Sequence, residues 1–96
     1  MIPVVWTLNA KCQLRAAYDY IGRNSTRYAQ NIVDRITRKT EPLSRLPQFG
    51  AIVPEYDDET IREVFEHPYR IIYRVAESQI EIVAVIHAAR ELPSTI

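Results

Sequence analysis

Cysteine occurs once and glycine twice among the 96 residues, and each scarcity removes a class of protein. A lone Cys12 excludes an internal disulfide; inside a helical pattern it reads as a small buried hydrophobe rather than a nucleophile. Gly22 and Gly50 are too few for a phosphate-cradling loop, and no Cys/His grouping stands at metal-ligand spacing, so neither a nucleotide cofactor nor a metal is expected. The longest apolar run, Ile82 to Ile86, falls far short of the ~20 residues of a membrane-spanning helix. Met1 leads into IPVVWTL without the basic start and apolar stretch of a signal peptide, so the expected compartment is the cytoplasm. Net charge is missing as well. Twelve Lys and Arg balance twelve Asp and Glu, so no whole-molecule field attracts nucleic acid or an acidic membrane, and any such role needs a local patch.

What is present is arginine, ten of the twelve cations, whose planar fork binds carboxylate and phosphate in a way lysine cannot. The length suits one domain, residues 1–96. Ile2 to Trp6 is β-branched and aromatic, hence a strand. Thr7 caps a helix from Leu8 to Arg23, with Ala10, Leu14, Ala17, Tyr18 and Ile21 on one stripe. Ser25 or Thr26 caps a second, carrying Ala29, Ile32, Val33 and Ile36, which Pro42 should kink or restart near Glu41. So short a connection requires an antiparallel helical hairpin.

Gln48 to Thr60 reads as a solvated loop with the acidic run Glu55, Asp57, Asp58 and Glu59. Three strand patterns follow, Ile61 to Glu66, Tyr69 to Ala76 and Gln79 to His87, with breaks short enough for an antiparallel meander. The order β-α-α-β-β-β predicts an α+β domain with the helical hairpin on one face of a mostly antiparallel, curved sheet.

Two layers leave the other sheet face bare. Strict alternation assigns Arg70, Ile72 and Arg74, with Glu81, Val83, Val85 and His87, to that face, while Ile80, Ile82, Ala84 and Ile86 meet the helices. Ile72, Val83 and Val85 then form an exposed apolar floor flanked by charge, as at an interaction site. Arg70 can hold a partner carboxylate or phosphate. Arg74 has a plainer use, a surface bridge to Glu81. His87 is either a hydrogen-bonded structural residue or a general acid–base group, since its ordinary pKa lies near neutrality.

Four segments, WTLNAKCQL, LSRLPQFG, IREVFEHPYRIIYRV and IEIVAVIHAARELP, in this order and spacing, make the chain resemble the ParE/RelE superfamily of toxins from type II toxin–antitoxin modules. The resemblance spans nearly the whole chain and implies a toxin held inactive by a cognate antitoxin whose tail wraps it, with Arg70, Ile72, Arg74, Val83 and Val85 as the docking residues. Members of the RelE branch cleave ribosome-bound messenger RNA without a metal. In this chain Arg70 and Arg90 match their arginines, and Glu63 with His87 would complete a variant catalytic set. Ile61 and Glu63 stand where that branch keeps a lysine pair. The HPYRIIYRV strand and the HAARELP ending look more like the ParE branch, whose non-catalytic toxins poison DNA gyrase. The expectation is therefore a gyrase inhibitor causing growth arrest, of the kind associated with plasmid stabilisation. The alternatives are a messenger RNA endoribonuclease, or a degenerate toxin that acts only with its antitoxin on their own operon.

Overall fold

The computed structural model describes residues 1–96. Two hydroxyls start the helices. Thr7 Oγ1 accepts a hydrogen bond from the Ala10 amide at 3.2 Å and donates to the Ile82 carbonyl at 3.0 Å, capping α1 (Leu8–Gly22) and tying its start to the sheet. Ser25 Oγ accepts from the Tyr28 amide at 3.1 Å and caps α2 (Thr26–Thr40). Pro42 ends α2 as expected: the chain tightens into a 3₁₀ turn over Glu41–Ser44, in which the missing proline amide is no loss.

The sheet has five strands, β1 (Val4–Trp6), β2 (Ala51–Ile52), β3 (Ile61–Glu66), β4 (Tyr69–Val75) and β5 (Ile80–His87), in the order β1-β5-β4-β3-β2. β3, β4 and β5 form the expected antiparallel meander, and β1 adds in parallel beside β5. The two-residue β2 lies in the stretch read as plain loop; it is too short to show a period.

One irregularity re-sorts the side chains. Ile72 pairs with Ala84 but Tyr73 pairs with Ile82, so β5 carries one extra residue, Val83, at a bulge. Beyond it the alternation is inverted. Ile80 and Ile82 meet the helices, but so does Val85, in a core shared with Ala10, Ile32, Ile36, Leu43, Val64, Tyr69, Ile71 and Tyr73. Val83, Ala84 and Ile86 turn instead to the opposite face with Ile72, Ile61 and Val53. The expected placement of Val85 and His87 on the open face, and of Ala84 and Ile86 under the helices, is thereby corrected.

That second face is also not bare. The connection before β3 lays Val53 and Tyr56 over it, and the residues after β5 lay Leu92 and Ile96 over it, so Ile72 is fully buried and Val83 only 6% exposed. Apolar side chains left on one sheet face gain about 25 cal/mol per Å² by being covered, and two nearby segments of this chain provide the cover. Cys12 departs from expectation too: it is exposed on α1.

Candidate functional site

Arg70 stands on β4 opposite Phe65 of β3 and Ile86 of β5, pointing to the second face. Its Nε donates to Glu63 Oε1 at 2.6 Å, and its two terminal nitrogens fork onto the Glu55 carboxylate at 2.7 and 2.9 Å. Its side chain is 10% exposed, that of Glu63 5% and that of Glu55 44%. One cation thus sits between two carboxylates, one sealed and one at the surface. The hydrogen bonds from Arg70 hold the Glu55 carboxyl at about 2, and the bonds to Glu55 and Glu63 raise the guanidinium further above its already high value. Glu63 is positioned by the β3 register and Glu55 by the loop, which Arg62 staples down through the Gly50 and Glu59 carbonyls at 2.9 and 3.0 Å.

The acidic run is therefore not merely a solvated connection: Glu55 closes the arginine site. Four acids in close succession hid it, because only the fold singles out the one within reach of Arg70. Asp58 has a local task, accepting from both the amide and the hydroxyl of Thr60 at 2.9 and 2.7 Å.

Since the folded pKa of Glu55 lies below its ordinary 4.5, the folded state releases that proton more readily than the unfolded one. The pair's stabilisation is complete above pH ~4.5 and is lost as pH falls toward 2. Glu55→Gln should accordingly lower the urea midpoint at pH 7, and its deficit relative to the parent should shrink as pH drops from 4.5 to 2.5. An undiminished deficit at pH 2.5 would mean that the carboxylate charge is not what Arg70 uses.

Arg74 faces Glu81 directly across the strands at 3.7 Å, the surface bridge expected from the sequence, and also donates to the main-chain oxygen of Ile96 at 2.6 Å. The Tyr56 hydroxyl donates to the Pro93 carbonyl at 2.7 Å. These two bonds fasten the tail across the sheet, and a groove of about 380 Å³ remains between it, Asn9 and Gln13 of α1, and Val83.

His87 lies on the other side of the sheet. It pairs with Tyr69, whose ring it meets edge-on at 5.7 Å, and its Nδ1 accepts from the Ala89 amide at 3.1 Å. Arg90 is exposed in the turn after β5, its amide bonded to the His87 carbonyl at 2.9 Å. The four residues of the supposed catalytic set are thus divided. Arg70 and Glu63 neutralise one another in the second face, His87 faces the helix side, and Arg90 stands in solvent. No phosphate can take the Arg70 fork while Glu55 occupies it, and the sheet separates the histidine from that arginine.

Comparison with known proteins agrees with the fold. The family model described as "ParE toxin of type II toxin-antitoxin system, parDE" matches residues 4–92. The chain is 38% identical over 91 residues to Toxin RelE2 of Caulobacter vibrioides, covering 94% of this chain and 99% of that protein. A structure of the chromosomal ParDE system of P. aeruginosa superposes with a TM-score of 0.76 at 27% identity, over 91% of this chain and 96% of the other. The Staphylococcus aureus YoeB dimer structure shares the fold, with a TM-score of 0.57 at 16% identity over 86% and 92% of the two chains. Helical hairpin, five-stranded sheet and a family match over nearly the whole length together establish that the chain belongs to the ParE family of type II toxin–antitoxin toxins.

Proposed function

We propose that this toxin acts without catalysis, by poisoning DNA gyrase, and that its cognate antitoxin neutralises it. The observation that carries this reading is the division of Arg70, Glu63, His87 and Arg90. An endoribonuclease needs an acid–base group and a phosphate-supporting cation converging on one ribose, whereas here the best-matched arginine is closed by Glu55 and Glu63 and the histidine is across the sheet. The competing reading, cleavage of ribosome-bound message, draws on the RelE2 name of the 38% identical relative.

For the antitoxin, the proposed docking surface contracts. Ile72, Val83 and Val85 are buried and Arg70 is bonded to two carboxylates, so of these five residues Arg74, beside the groove at the tail, remains as a contact for the partner chain. Purified toxin added to gyrase should block supercoiling, and expression without antitoxin should arrest growth. Cleaved message in a translating ribosome system with supercoiling untouched would overturn the gyrase reading. Growth unaffected by well-expressed, folded toxin would leave only the autoregulatory role.

A further inference from the structure

The zero net charge conceals a separation. Residues 1–46, which hold β1 and both helices, carry eight Lys and Arg against three Asp and Glu; residues 47–96 carry four against nine. All eight cations of the first part are exposed, and only Arg15 has a carboxylate partner, Asp19 at 3.1 Å. The cations concentrate on α2. Ala29, Ile32, Ile36 and Thr40 are its buried residues, which leaves Arg27 and Arg38 on the opposite side at helical spacing, with Arg35 and Lys39 on one flank. Asp34 is the one acid among them, and its Oδ1 accepts from Gln30 at 3.0 Å.

We propose that this exposed side of α2 docks on the phosphate backbone of duplex DNA. Beside its cations stand Gln30 and Asn31, both exposed and polar, and the one large exposed side chain with apolar character is Tyr28, on the Arg35 flank at the start of the helix. A protein partner would need an apolar centre to desolvate there, whereas a phosphate backbone needs only cations and hydrogen-bond donors. Single-stranded nucleic acid would require stacking platforms, and the only aromatic residue of α2 is Tyr28, at its start. Among duplexes, the ~12 Å major groove of B-form DNA admits a helix face, while the A-form major groove of RNA is too narrow. The inference does not depend on the gyrase reading.

A fluorescently labelled 20-base-pair duplex titrated with the toxin should give a Kd on the order of 10 μM at 50 mM salt, rising roughly a hundredfold by 200 mM if about four phosphates are neutralised. Replacing Arg27, Arg35, Arg38 and Lys39 together by Gln should raise Kd at least tenfold and flatten the salt slope, with circular dichroism and melting unchanged because all four are exposed. Adding Asp57→Asn, Glu59→Gln, Glu77→Gln and Glu91→Gln to that variant restores the net charge without rebuilding the stripe, and binding should stay lost. Recovery in this eightfold variant, absence of binding at 50 mM, or equal affinity for polyglutamate or for duplex RNA would overturn the proposal.

Discussion

Arg70→Met should cost about 3 to 5 kcal/mol of folding stability, with Tm lower by roughly 15 °C or more. The loss does not come from the surface half of the site, because Glu55 can return to water. It comes from Glu63, 5% exposed on β3, whose carboxylate would stay sealed without the guanidinium 2.6 Å away. Against the ~5 to 10 kcal/mol expected for so small a domain, this is a large share. The double variant Arg70→Met, Glu63→Met removes both buried charges and should recover most of the loss, since apolar groups of similar volume commonly replace a buried pair at little cost. Equilibrium urea unfolding of the two variants decides the matter. A single variant as stable as the parent would mean that Glu63 finds water when Arg70 is gone. Arg70→Glu would set a third carboxylate among the other two, so weaker antitoxin binding by that variant would report unfolding, not a lost contact.

Gly50→Ala should be nearly as damaging, at about 3 kcal/mol. Its backbone angle is not the reason, for no glycine here has positive φ. The reason is closeness: a Cβ on Gly50 would lie 2.5 Å from the Glu63 carbonyl oxygen and 2.7 Å from the Tyr73 hydroxyl. The fully buried Tyr73 hydroxyl accepts from the Gly50 amide at 2.9 Å and donates to the Pro47 carbonyl at 2.8 Å, joining the end of the helical segment to the sheet. A methyl group forces these apart, adding overpacking strain of ~1 to 3 kcal/mol to the loss of a buried hydrogen bond. Tyr73→Phe removes the hydroxyl the methyl would strike, so the double variant should be less destabilised than the sum of the two singles. Additive losses would show that the clash is with the Glu63 carbonyl and the Tyr73 ring carbon Cε1, 2.8 Å from the added Cβ and kept by phenylalanine, and a Gly50→Ala stability within ~0.5 kcal/mol of the parent would refute the close approach.

The stretch HPYRIIYRV illustrates how far local pattern reaches. Its alternation correctly puts Tyr69, Ile71 and Tyr73 under the helices and Arg70, Ile72 and Arg74 on the other face, because a strand's side chains have a fixed period of two. The same rule applied to IEIVAVIH fails after Val83. A bulge adds one residue to one strand, and an almost continuously apolar sequence carries no polar positions to betray the change of phase. Had His87 been on the Arg70 face, a catalytic pair would have been arguable; the extra residue removes it.

Local signals determined the helices, their caps, the restart at Pro42 and the meander, each of which depends on side chains within a few residues of one another. The family resemblance, carried by four separated segments, belongs to the same linear record. Tertiary structure alone decided what covers the second sheet face, which of four neighbouring acids binds Arg70, and whether the matched catalytic residues meet. It also left all eight cations of the first 46 residues exposed, four of them on α2. These outcomes turn on register, burial and distance between segments far apart in the chain. A carboxylate 15 residues from its arginine is one acid among several until folding brings it to 2.7 Å.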